Sequence, residues 1–180
     1  MKNANHILKM TLAAVCLALC MVFPFLTANI PEIGSALCPM HIPVLLAGFL
    51  CGPGWAAAVG VVAPLLRFAL FGMPPIFPTG LAMCFELASY GLIAGLLYKK
   101  LPKKAAGIYA ALVAAMLGGR IVWGIARVIM SGVSDASFTW AAFMAGAFTN
   151  AVPGMILHIV LIPVIVIALQ KALPARGSAS

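Results

Sequence analysis

From Ile7 onward the chain is a series of apolar runs, most of them long enough to cross a bilayer, separated by short segments rich in proline, glycine or lysine. A helix needs about 20 apolar residues to span the roughly 30 Å hydrocarbon layer. Composition points the same way, with 64% hydrophobic residues and 8% charged and a mean hydropathy of +1.16. So little charge does not keep a globular domain in water. The expectation is an all-α integral membrane bundle, a single domain over residues 1–173 followed by a short polar tail at 174–180.

Punctuation divides the chain into six spans. The first, Ile7 to Ala28, is too long and too rich in Leu, Met and Phe for a secretory signal, and Phe23-Pro24-Phe25 stands where a small-x-small cleavage site would be. A loop at 29–41 leads to a segment too long for one crossing, which Gly52-Pro53-Gly54 breaks into a short second span ending near Cys51 and a third starting near Trp55. After a loop at 73–79, the fourth span runs from Gly80 to Tyr98, the basic turn KKLPKK occupies 99–104, and the fifth runs from Ala105 to Met130. A polar loop precedes the sixth, Thr139 to Ala172, in which Asn150-Ala151-Val152-Pro153-Gly154 predicts a kink or partial unwinding.

Six spans put both termini on one side. Lys2, Lys9, the lysines of KKLPKK, Lys171 and Arg176 fall on that side, whereas the loops at 29–41, 73–79 and 131–138 hold no Lys or Arg. By the positive-inside rule the termini are cytoplasmic, with Glu32 and Asp135 outside. This clustering explains the net charge of +8 as a topology signal rather than a nucleic-acid face. Five scattered cysteines, with no C-x-x-C and no metal spacing, read as small apolar packing residues.

Against this background a few polar side chains stand out. An arginine at mid-bilayer costs at least about 2.5 kcal/mol on insertion scales, yet GGRIVWGIARVIM (118–130) contains Arg120 and Arg127. Counting along the helices places Arg67, Glu86, Arg120, Arg127 and Asn150 in the outer half of the membrane. Arg120, Trp123 and Arg127 share one helix face by their i, i+3, i+7 spacing, as Glu86 and Tyr90 do by i, i+4. If those faces meet, three arginines, a glutamate and aromatic rings form a site for a small carboxylate-bearing molecule with an apolar body. His41, at the mouth of the second span, is a further candidate. The alternatives stay open: Arg67 and Arg127 can snorkel, Glu86 can be a structural partner of an arginine, Asn150 can cap a kink, and His41 and His158 can be packing residues.

Several chemistries lack their residues. There is no G-x-x-x-x-G-K-[ST] for ATP, no H-E-x-x-H, no G-x-S-x-G, and one carboxylate inside a span. No cofactor is called for. A binding protein embedded in the membrane and powered by others fits best; a stand-alone facilitator or a membrane accessory protein is the alternative. In the first span, Ala14-x-x-x-Ala18 provides small residues at i, i+4 that let another helix approach.

These features resemble the substrate-binding S components of energy-coupling factor (ECF) vitamin transporters. The resemblance rests on six spans in about 180 residues, the A-x-x-x-A of the first span, a proline-containing outer loop before the second, and the basic turn after the fourth. Its most specific part is PMHIPVLLAGFLCGPGWAAAVGVVAPLLR (39–67), similar to I-P-x-x-L-A-G-x-L-x-G-P-x-x-G-x-x-x-G. It implies a six-helix subunit in a prokaryotic cell membrane that captures a water-soluble vitamin or precursor at the outer face. It further implies that Ala14 and Ala18 dock on a transmembrane T component carrying two ATPase subunits, and that the whole subunit topples to release its substrate. The arginines favour a carboxylate, pantothenate first and then a folate; riboflavin, pyridoxine-type compounds and queuosine precursors remain open.

Overall fold

The computed structural model describes residues 2–27, 36–132 and 139–172. Helix α1 (Lys2–Val22) continues into a 3-10 turn at Phe23–Thr27 and is followed by α2 (His41–Leu50), α3 (Pro53–Phe71), α4 (Leu81–Lys100) and α5 (Ala105–Ser131). Helix α6 (Trp140–Met144) runs through a π-type turn at Ala145–Thr149, and α7 (Val152–Ala172) follows. The all-α fold expected is the fold observed, with no strand among the described residues.

Five of the apolar helices are long enough to cross a membrane, and α2 is the shorter one. Its ten residues reach about 15 Å, half the hydrocarbon thickness. Nine of the ten are buried, because α2 lies inside the bundle against α1, α4 and α7. A helix apolar on all sides belongs in a core. The outer helices instead turn residues such as Ile129, Ile156, Val160 and Val164 outward, where lipid is the natural solvent.

The breaks follow from the residues that make them. Pro53 occupies the first turn of α3, where a missing N–H costs nothing, and Gly52 takes φ 91°, open to glycine alone at no steric cost. Lys99 and Lys100 close the last turn of α4, where positive charge offsets the helix dipole. The interruption expected around Asn150 lies there: the Asn150 N–H donates to Ala145 O at 2.8 Å, five residues back, and α7 restarts at Val152 with Pro153 in its first turn.

Helix α4 is the centre of the packing, touching α2, α3 and α5. Its contact with α3 is backbone on backbone: a Cβ at Gly91 would fall 2.7 Å from the Ala56 carbonyl carbon. This close approach fixes the rotation of α4. Ala82, Glu86, Tyr90 and Ala94 then form one inward stripe at four-residue spacing, so Glu86 points into the core.

Both ends of the described chain meet at one end of the bundle. The His6 ring sits edge-on to Trp55, beside the α2–α3 turn. Tyr98, next to the α4–α5 turn, bonds Gln170 near the end of α7. We refer to this as the lysine end. At the opposite end Arg67 joins α3 to the end of α1. The expectations placed on Glu32, Asp135 and the 174–180 tail lie outside the described residues.

Candidate functional site

The stripe on α4 and a matching stripe on α5 bring the first charged pair together. Burial on α5 recurs at Ile108, Ala111, Leu112, Ala115, Met116, Gly119 and Arg120, so Arg120 continues an apolar seam rather than facing lipid. Arg120 Nη1 lies 2.9 Å from Glu86 Oε1. Glu86 is 2% exposed and Arg120 6%. Either charge alone in this apolar setting would be costly; together they are neutral.

His41, the first residue of α2, approaches the same carboxylate, its Nε2 3.4 Å from Oε1. The Tyr90 ring meets the His41 ring edge-on at 5.0 Å, and its hydroxyl interacts with Glu86. From α7, the His158 ring stacks on His41 at 6.0 Å. The remaining wall is the turn before α2. Arg120 Nη2 donates to Cys38 Sγ at 3.3 Å, and Cys38 has a φ of 47°, a left-handed conformation that costs a non-glycine residue about 1–2 kcal/mol. Burial pushes the Cys38 thiol up, so it meets Arg120 as a neutral acceptor.

The cluster is not fully satisfied. His41 Nδ1, Arg120 Nε and His158 Nε2 are buried and have no hydrogen-bond partner among the described residues. Unused polar atoms converging from α2, α5 and α7 are unusual in a packed interior, where nearly all such groups are paired. They are what a polar ligand or ordered water would satisfy.

The residues singled out in the sequence separate into four places. Glu86, Tyr90, Arg120 and His41 meet in this cluster. Arg67 has different neighbours: its Nη1 donates to Met21 O at 3.1 Å, and its guanidinium lies 5.5 Å from the Phe25 ring and 5.2 Å from the Phe71 ring. Two cation–π contacts and a helix-end carbonyl bind it to the α1–α3 contact. Trp123 and Arg127 are half-buried further along α5, with Trp123 stacked on Phe143 at 6.4 Å. Asn150 is exposed at the α6–α7 break. The cluster therefore holds one arginine and one glutamate, not the excess of two positive charges that joining all the faces would give.

Two members look like packing residues in the sequence. Cys38 carries no local signal, since only the tertiary fold brings its loop to Arg120. His158 did carry one, being a histidine deep in an apolar span. Among the described residues no group of His, Cys, Asp and Glu has the arrangement of a metal site.

The family model described as ECF transporter, substrate-specific component, matches residues 8–166. No curated protein and no solved structure matches the chain.

Proposed function

We propose, on the premise that the chain belongs to the family of ECF transporter substrate-specific components, that the Glu86–Arg120–His41 cluster is where its substrate binds. The family makes the protein a substrate-specific membrane subunit of an ECF importer. The observation that carries the site assignment is the set of buried, unused polar atoms on His41, Arg120 and His158 beside an ion pair. Tyr90 and His41 offer ring surfaces for stacking, and Arg120 offers a forked donor. Trp123, Arg127 and Asn150 lie toward the outer side on the route a substrate would take, whereas Arg67 stays with the α1–α3 contact.

The substrate in this reading is a water-soluble vitamin or precursor. A carboxylate-bearing compound, pantothenate first and a folate next, would take over part of the Arg120 guanidinium that Glu86 and Cys38 now occupy. Riboflavin and pyridoxine-type compounds would use the unused histidine nitrogens instead. The segment at 36–40 before α2 covers the cluster and must move to admit either. Release inward and the energy for it belong to a T component and two ATPase subunits. The exposed positions of Ala14 and Ala18, on the face of α1 opposite the buried Ala13, Cys16 and Cys20, support docking there.

Thermal melting of the purified protein in detergent against a panel of water-soluble vitamins and precursors tests the reading. A ligand that binds the folded state alone, present at about 100 times its dissociation constant, adds about 2.7 kcal/mol of apparent stability. One compound shifts the melt of the wild type and not of Arg120→Ala. A compound that shifts both equally contradicts the site.

A further inference from the structure

The lysine end carries a second feature that substrate binding does not use. An open cavity of about 620 Å³ is lined by His6 and Lys9 from α1, the Gly52–Pro53 turn, Trp55 from α3 and Lys99 from the end of α4. Its volume is in the range of small-molecule sites. Two lysines approach it from different helices, and the Lys99 side chain lies along the turn, its Cε 3.7 Å from where a Gly52 Cβ would be. On the floor, Pro53 fills the one first-turn position of α3 that has no N–H, which leaves the Gly54 and Trp55 amides as the unpaired donors of the helix start. Space around Gly54 is open, since a Cβ there would meet nothing within 4 Å.

Among the described residues no protein anion answers these charges. The acidic residues of the chain are Glu32, Glu86 and Asp135. Glu86 is committed to Arg120 and His41, and the other two lie outside the described residues. Among the described residues no carboxylate pairs with Lys9 or Lys99. Lys100, Lys103, Lys104 and Lys171 raise the local charge further. A concave surface with cationic walls and helix-start donors selects an anion with several oxygen acceptors.

The flanks say how that anion is carried. Next to His6 and Lys9 in sequence, Ile7, Leu8 and Met10 on α1 are exposed apolar side chains, and Trp55 has the amphipathic ring that settles at the membrane interface. Free phosphate would cover none of this surface; acyl chains would. We propose that the cavity binds the phosphate group of an anionic membrane lipid, with Lys9 and Lys99 as its charge partners, the α3 start as its hydrogen-bond donor and the exposed apolar side chains of the first turns of α1 beside it as the seat of the acyl chains.

The test is native mass spectrometry of the full chain in neutral detergent, titrated with phosphatidylglycerol and, in a separate arm, with inorganic phosphate as competitor. The wild type retains one phosphatidylglycerol. Lys9→Gln/Lys99→Gln weakens its binding by roughly tenfold or more, and Lys9→Arg/Lys99→Arg restores it. Lys103→Gln/Lys104→Gln, which removes the same charge outside the cavity, changes it by less than about twofold. Lipid that inorganic phosphate does not displace supports a lipid-borne phosphate; displacement at equal concentration reassigns the same site to free phosphate and overturns the lipid. Equal weakening by the two glutamine doubles, or no lipid retained by the wild type, overturns the site itself. All three doubles alter exposed side chains, and their melting in lipid-free detergent reports whether each is folded.

Discussion

The two ends of this bundle handle charge in opposite ways. Toward the end away from the lysines, one glutamate and one arginine are buried and cancel each other at 2.9 Å, with histidines and a tyrosine closing around them. At the lysine end, Lys9 and Lys99 line an open cavity with no carboxylate as partner among the described residues. Buried charges must be settled within the fold, because lipid and apolar side chains supply nothing in return. Charges at the membrane face can be left for another molecule to settle. The first arrangement thus constrains stability and substrate together, and the second constrains the surroundings the protein keeps.

Breaking the buried pair is the most severe way to test this contrast. Glu86→Ala leaves Arg120 charged and unpaired in the core, and unfolding measurements in detergent should show a loss of about 3–5 kcal/mol. If Glu86→Ala melts like the wild type, the cluster is not the closed unit described. Next in size is Gly91→Ala, which adds a Cβ 2.7 Å from the Ala56 carbonyl carbon without altering any charge. Overpacking at that crossing costs about 1–3 kcal/mol, and because it tilts α4 it should also weaken ligand binding.

Arg67→Ala sharpens the comparison within the end away from the lysines. It removes a carbonyl hydrogen bond and two cation–π contacts, for an expected loss of about 1–2 kcal/mol. Ligand affinity should stay within about twofold, as for sites that share no partner. A large loss of affinity would bring Arg67 back into the site. Smallest of all is Lys9→Gln/Lys99→Gln, whose melting temperature in lipid-free neutral detergent should lie within about 2 °C of the wild type.

What the residues reveal on their own tracks how local the cause is. The spans, the α2–α3 turn at Gly52-Pro53 and the break near Asn150 come from chain-local chemistry and are legible in the sequence. The identity of each arginine's partner is not. Arg67 and Arg120 look alike as single arginines in apolar helices, yet one stacks on aromatic rings and the other pairs with Glu86. Half of the Arg67 answer was in reach, since Phe71 lies at i+4 on the same helix; Phe25 and Met21, on α1, were not. Helix α2 is the other instructive case. Its ten apolar residues form the short second span expected, but as an interior helix buried on all sides, and its first residue delivers His41 to Glu86. Periodicity cannot reveal that, because a helix apolar on every side has no preferred face to read.

The most direct test of the account is ligand affinity in a variant that discards both buried charges while keeping the core filled, Glu86→Leu/Arg120→Met. Replacing a buried ion pair by apolar side chains of similar volume is often neutral or stabilising, so this double variant should fold and melt close to the wild type. With the vitamin or precursor identified in the melting panel, the account predicts a folded protein whose affinity falls by at least about 100-fold, the effect of losing a buried charged anchor. A folded double variant that binds the same ligand within about threefold of the wild type would contradict it, leaving the Glu86–Arg120 pair as a structural element and placing the substrate elsewhere.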